Sequence, residues 1–189
     1  TKIGGFSFCN EVTSVTIPEG VTSIDSGAFV FSSKIADITI PESVTYIGSN
    51  AFLECYSLTS ITLPKGIKSI GYGAFEGTGI SSNKNNWENG GLYIDNFLVM
   101  GEEGYKGEFN VRPGTTFIAD GIFRSDNELT SIIIPDGVQS IGERSFDGCK
   151  KLTSLVIPES VTYMGDGAIS NSSFGLTLSF LSTPYRFYN

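Results

Sequence analysis

Leu58-Thr59-Ser60-Ile61-Thr62-Leu63-Pro64-Lys65-Gly66-Ile67-Lys68-Ser69-Ile70-Gly71-Tyr72-Gly73-Ala74-Phe75 is the stretch that decides the fold. Ile61 and Leu63 alternate with Ser60 and Thr62, the two-residue period of a half-buried strand. Pro64 lacks a backbone donor and ends that strand, and Lys65-Gly66 turns the chain. Ile67 and Ile70 give a second inward pair, read as a short second strand. Gly71 is read as a position that needs positive φ. Tyr72-Gly73-Ala74-Phe75 is too short for a full helix and predicts a single 3₁₀ or α turn, with Ala74 inward and Phe75 filling the centre.

The phrase recurs. Pro18, Pro41 and Pro64 stand 23 residues apart, and Pro135 and Pro158 repeat the interval. The inward aromatic returns as Phe29, Phe52, Phe75, Phe123 and Phe146, with Ile169 in the last copy. Three residues beyond each comes a column of Ser32, Cys55, Thr78, Asp126, Cys149 and Ser172. One step in that column, Thr78 to Asp126, is a little over twice the length of the others. A fixed period of this length means stacked repeats, in which no coil buries its own apolar edge and each covers the next. Strand ladders between coils then lie roughly 4.8 Å apart. The expected architecture is a repeat solenoid with a parallel sheet. Residues 1–189 form one domain of about seven to eight coils.

Three places depart from the period. Ile3 to Phe8 reads as the end of a repeat, with a two-residue deletion before Cys9. Residues 79–126 form the irregular, extended repeat. In it, Leu92-Tyr93-Ile94 and Phe97-Leu98-Val99-Met100 around Asp95-Asn96 predict a β-hairpin, and Glu108-Phe109-Asn110-Val111 a further strand. Pro113 to Phe123 then rejoins the repeat one residue short. After Ser172 the copy decays: Leu176-Thr177-Leu178 still reads as a strand, and 173–189 as a cap or truncated repeat. The chain opens inside a repeat and reads as a piece of something longer, so a missing targeting signal carries no weight.

Composition narrows the chemistry. The net charge is −8 and the pI near 4.5, against the clustered Lys and Arg that nucleic acid requires. No apolar run approaches the roughly 18 residues of a membrane span. Histidine is absent, which removes the commonest general base and metal ligand. Cys9, Cys55 and Cys149 are too far apart in sequence for a metal-binding pair. Cys55 and Cys149 share a column with Ser and Thr, so small size is what that position demands. They read as buried structural thiols. The carboxylates sit beside turns, where capping and solvation explain them. No pair is marked for glycoside hydrolysis, and no Asp-rich calcium loop is present. Asn171-Ser172-Ser173 is a lone glycosylation sequon, relevant only in a eukaryotic host. No cofactor, metal or enzymatic activity is expected.

The outward columns carry the functional reading. On the first strand they are Ser14-Thr16, Asp37-Thr39, Ser60-Thr62, Ser131-Ile133 and Ser154-Val156. On the second they are Ser23, Tyr46, Ser69, Phe117, Ser140 and Tyr163. A solvated sheet face explains the hydroxyls. Tyr46, Phe117, Ile133, Val156 and Tyr163 are the candidate anchors of a binding surface, because exposed aromatic and apolar side chains carry much interface energy. The stretched repeat adds Trp87, Tyr93 and Tyr105, though Trp87 could equally pack over the coil beneath.

The pattern L-x-x-I-x-I-P-x-x-V-x-x-I-G-x-x-A-F-x-x-C resembles the BspA-type, or Treponema pallidum-type, leucine-rich repeat. Leu58 to Pro64 and Val44-Thr45-Tyr46-Ile47-Gly48-Ser49-Asn50-Ala51-Phe52-Leu53-Glu54-Cys55 match it almost position for position. The resemblance covers nearly the whole chain. It implies a right-handed superhelix, β-rich with short 3₁₀ or α turns. It also implies that the W…N-G-x-L-Y insertion is a recurring variant, and that the chain is secreted or at a bacterial cell surface. The expected role is a non-catalytic binding or adhesion module. Its partner is a host or cell-surface protein, with a glycan as the other candidate. The competing role is a structural spacer.

Overall fold

The computed structural model describes residues 1–172 and 178–180. The chain forms two compact units, Thr1–Trp87 and a second that begins at Glu88. In the first unit Lys2–Ile3, Ser23–Ile24, Tyr46–Ile47 and Ser69–Ile70 line up in one parallel ladder. Ser14–Thr16 and Asp37–Thr39 form another. In the second unit Gly107–Asn110, Leu129–Ile133, Ser154–Ile157 and Leu178–Phe180 run parallel. A second row there joins Phe97–Gly101, Phe117–Ile118, Ser140–Ile141 and Tyr163–Met164. This is the expected solenoid: first strands pair with first strands, second with second, one repeat apart.

The hairpin forms as read. Gly91–Ile94 pairs antiparallel with Phe97–Gly101, and Asp95 at the turn takes φ 52°. Its second arm then pairs in parallel with Phe117–Ile118, so it serves as the second strand of the stretched repeat. The strand at Phe109 is also regular. Phe109 faces Ile132 and Phe117 faces Ser140, each a full period away, so this coil is full length and only its proline is displaced by one position. Ile61 to Leu63 behaves differently: Leu63 is buried and Ser60 and Thr62 are exposed, yet the segment joins no ladder. The chain after Thr78 enters the short helix Gly79–Ser82 instead of another first strand. Leu178–Phe180 is a strand with Leu178 opposite Leu155, and Leu176 and Thr177 of the expected strand lie outside the described residues. The rest of the proposed cap, and Ser173 of the sequon, lie outside the described residues.

Aromatic stacking fills the first unit. Phe6, Phe29, Phe52 and Phe75 stack at 5.6, 5.6 and 5.4 Å between ring centroids. Phe29, Phe52 and Phe75 are fully buried, as is Phe146 in the second unit, where Phe123 is also buried. Ile169 is only half-buried. Phe6, not Phe8, continues the ring column. The two-residue deletion is real but lies earlier than expected. Ile3 faces Ile24, two positions short of a full period, whereas Phe6 stacks on Phe29, a full period away. The shortfall therefore falls between Ile3 and Phe6, and Phe8 stacks on Phe31 at the exposed edge.

The turn before each inward Phe does more than close 3₁₀-type bonds. Ala74, Glu76 and Thr78 N–H groups donate three residues back, to Gly71, Gly73 and Phe75. In the preceding coil the intervening donors cross to this one: Asn50 to Tyr72 O, Phe52 to Ala74 O and Glu54 to Glu76 O. Alternation of local and inter-coil bonds satisfies the buried backbone where no regular strand exists.

The small-residue column three beyond each Phe is a donor column as well as a small one. Ser32 Oγ donates to Phe6 O at 2.8 Å, and Ser172 Oγ to Phe146 O. Cys55 Sγ donates to Phe29 O at 3.1 Å, and Cys149 Sγ to Phe123 O at 2.9 Å. Each of these bonds ties one coil to a carbonyl of the coil before. Thr78 bonds within its own coil, to Phe75 O, and caps the helix that follows through Ser81 N. Asp126 accepts from Tyr105, Glu128 and Leu129 N–H groups instead, so the stretched repeat replaces a donor with an acceptor. Burial pushes the Cys55 thiol up to about 11 and Cys149 to about 12, from 9.0.

Gly71 is not at positive φ, contrary to the expectation from sequence. It is required by proximity. A Cβ on Gly71 would sit 2.7 Å from Ser49 Cα, and one on Gly48 the same distance from Asp25 C. Gly142 and Gly165 meet Ala119 C at 2.6 Å and Glu143 Cα at 2.7 Å in the same way.

Three outcomes follow for stability, each read by chemical denaturation. Phe52→Ala or Phe75→Ala should cost about 3–5 kcal/mol. Gly48→Ala should cost about 1–3 kcal/mol, because its Cβ meets backbone that cannot give way. Cys55→Ser with Cys149→Ser should change stability little, because serine already fills this column, while Cys149→Ala loses a donor and should cost about 1–2 kcal/mol. The raised thiol values imply stability that is intact below pH 9.0 and falls as pH climbs through about 11 and 12, because the unfolded thiols ionise first. The double Ser variant should show a shallower alkaline loss than the parent.

Candidate functional site

The outward sheet positions divide sharply once the backbone places them. In the second unit, Asn110, Ile133 and Val156 are successive partners along the first-strand ladder. Ile133 and Val156 are 48% and 41% exposed, so two β-branched side chains stand side by side in water. The parallel column on the same face holds Ser131 and Ser154, and Ser131 Oγ donates to Glu108 Oε2 at 3.2 Å. These strands expose alternate residues because each inward neighbour, Ile132 or Leu155, is buried.

Tyr46 and Tyr163 occupy outward second-strand positions, each in its own unit. Tyr46 pairs with Ser23 on one side and Ser69 on the other and is 40% exposed. Tyr163 pairs with Ser140 and is 53% exposed. Partial burial raises its phenol above the usual value, and the carboxylates of Glu143, Asp166 and Asp120 add to the rise. Glu143 and Asp166 are exposed, and Asp120 Oδ1 accepts the Glu143 N–H at 2.9 Å. Tyr163 therefore projects beside Ser140 into an acidic margin.

Phe117 is not part of such a surface. Expected to point outward, it is only 3% exposed. The hairpin supplies the reason: Phe97 pairs directly with Phe117, and their rings meet edge-on at 6.0 Å. The insertion has covered the outward column at this coil. Tyr93 is also buried. Its hydroxyl accepts the Arg112 N–H at 3.0 Å, and the Arg112 guanidinium lies 4.3 Å from its ring centroid. Burial raises its phenol, partly offset by that hydrogen bond and by the Arg112 charge. Arg112 also donates to Asp95 O and approaches Glu88 at 3.9 Å, so it fastens the hairpin.

Tyr105 and Trp87 are half-buried and have structural partners. Tyr105 meets Phe109 edge-on at 5.2 Å and Phe123 at 6.2 Å. Trp87 donates from Nε1 to Ser81 O at 2.7 Å, with Lys84 Nζ 5.0 Å from its ring. Of the eight candidate residues, Ile133 and Val156 are direct neighbours, and Tyr46 and Tyr163 are the exposed aromatics. Sequence reasoning missed others: Phe8, Phe31, Tyr56 and Tyr72 are all exposed. Column comparison finds the two tyrosines. Tyr56 aligns with Ser33 and Lys150, and Tyr72 with Ser49 and Glu143, positions filled by polar residues in other coils.

Cys55 and Cys149 are buried and Cys9 half-buried, all as free thiols. Among the described residues, no group of three or more Cys, Asp or Glu side chains is placed to hold a metal ion. Among them, too, no helix is long and apolar enough to cross a membrane.

Comparison with known proteins adds the family. Residues 1–90 and 116–183 match the model of the BspA type leucine rich repeat region, in six copies. A crystal structure of a leucine-rich repeat protein from Bacteroides ovatus is similar, with 29% identity and a TM-score of 0.42. That match covers 88% of this chain and 43% of the other, so the chain spans under half of that protein's length. The T. pallidum leucine-rich repeat protein is 24% identical over 85% of this chain and 77% of its own, with a TM-score of 0.41. A leucine-rich cell surface protein from Faecalibacterium prausnitzii is 23% identical over 89% and 61%, with a TM-score of 0.40. No curated protein matches. With the period, the parallel ladders and the family match in agreement, the chain belongs to the BspA-type leucine-rich repeat family.

Proposed function

We propose that this chain is a non-catalytic binding module of a secreted or cell-surface bacterial protein. The observation that carries the reading is the pairing of Ile133 and Val156. Two apolar side chains stand exposed at positions where the first unit's ladder holds Thr16 and Thr39. Isolated apolar residues on a surface need no explanation, but adjacent ones on a rigid ladder form a preorganised contact. In the same unit as Ile133 and Val156, Tyr163 supplies an exposed aromatic of the type that dominates interfaces, and Tyr46 is an exposed aromatic of the first unit. The partner is a protein at a host or cell surface, with glycan binding as the alternative outcome. The role of spacer predicts no specific partner at all.

A panel of host and cell-envelope proteins and glycans, presented to the immobilised chain, tests this. Ile133→Asp combined with Val156→Asp should weaken capture about tenfold or more, a loss of roughly 1.4 kcal/mol, with the thermal midpoint little changed. Tyr163→Ala should weaken it in the same direction. Binding that is indifferent to all three substitutions would refute the assignment of these residues, and silence across the panel would favour the spacer.

A further inference from the structure

The turn that opens the hairpin holds a pair of residues whose chemistry the binding role does not use. Asn89 and Gly90 lie between the strand Trp87–Glu88 and the strand Gly91–Ile94, with φ of 50° and 84°. Left-handed geometry at both positions is what a tight two-residue turn demands, and Asn-Gly is the sequence that supplies it most readily. Glycine is doubly required here. A Cβ on Gly90 would stand 2.5 Å from Tyr105 Cε2, and Gly90 O accepts the Glu102 N–H at 2.7 Å. Asn89 itself is exposed. The fold therefore keeps, on an open turn, the dipeptide in which an asparagine side chain is most accessible to attack by the next backbone nitrogen.

We propose that Asn89 is a site of spontaneous covalent modification, by deamidation through a cyclic imide. The Gly90 backbone nitrogen attacks Asn89 Cγ, a C–N bond forms, and the side-chain amide nitrogen leaves as ammonia, carrying the proton lost from the Gly90 nitrogen. The five-membered imide then takes up one water at either carbonyl, giving aspartate or isoaspartate. No oxidant is involved, and water is the other reactant. Attack is hindered by a side chain on the following residue, and Asn89 is the sole asparagine in the chain followed by glycine. Asn50, for comparison, precedes Ala51, and Asn96 precedes Phe97.

Either product adds a negative charge beside Glu88, which faces Arg112 at 3.9 Å. Isoaspartate also lengthens the backbone by one methylene, next to Gly90, which lies against Tyr105. Tyr105 in turn packs on Phe109 and Phe123. The modification thus reaches from an exposed turn to the ring cluster that anchors the stretched repeat.

The test is incubation of the folded chain at mildly alkaline pH, with peptide mapping by mass spectrometry and measurement of released ammonia. The expected result is conversion of the Asn89 peptide to a mixture of aspartate and isoaspartate, several-fold faster than at any other asparagine. Asn89→Gln should abolish that early ammonia release, because glutamine would need a larger ring. Persistence of the Asn89 amide in the folded chain, over a time in which the denatured chain converts, would overturn the proposal. So would conversion of Asn89 no faster than that of Asn10 or Asn50.

Discussion

The coils approach one another so closely at one column that no side chain fits there. Gly48, Gly71, Gly142 and Gly165 each lie against the backbone of the coil before, and each donates its N–H across at 2.8 Å, to Ile24, Ile47, Ile118 and Ile141. That approach sets the depth to which neighbouring coils nest. Once it is set, the rings of Phe29, Phe52 and Phe75 stack in register, and Cys55 reaches the carbonyl of Phe29. Were the coils held farther apart, the second-strand ladder would lose its bonds and the donor column its acceptors. Glycine at this position thus serves close packing, and the conformational freedom of glycine is used elsewhere, at Gly73 and Gly77.

The period makes the architecture legible from the sequence. Strand pairing one repeat apart, burial of the Phe column and the hairpin around Asp95 all follow from hydrophobic alternation and turn chemistry. What alternation does not show is distance between coils. Gly71 reads as a conformational need because glycine's two uses, positive φ and absence of a Cβ, look identical in a single repeat. Phe8 competes with Phe6 for a similar reason. Both are phenylalanines near a repeat end, and only the stack on Phe29 tells which one continues the ring column. The donor role of Cys55 and Cys149 is hidden in another way. Ser, Thr and Cys share smallness and a hydrogen to donate, and the first property is sufficient to explain the column.

The candidate surface is legible in part. Tyr46, Ile133, Val156 and Tyr163 are exposed because no segment among the described residues is laid over their strands, so the strand period alone fixes which side chains face out. Phe117 breaks that rule because its neighbour is not a regular coil. A strand of the hairpin runs beside it and sets Phe97 against it, and the outward column becomes interior over that step. Periodicity assigns faces correctly only where no other segment covers the sheet.

This gives the stretched repeat a definite physical task. Its extra residues bring Phe97, Tyr93 and Tyr105, and each is occupied inside the second unit: Phe97 by Phe117, Tyr93 by Arg112, and Tyr105 by Phe109 and Phe123. Aromatic side chains of this size bury roughly 150–250 Å² each, enough to dominate local stability. Asp126 fits the same account. It stands where other coils place a hydroxyl or thiol donor, and it accepts from the Tyr105 N–H, so the donor column is rewired to hold the loop. The insertion therefore uses its aromatic residues on its own packing. In the second unit, the large apolar residues left facing water among the described residues lie on regular coils, at Ile133, Val156 and Tyr163, where neither hydrophobic burial nor the repeat pattern accounts for them.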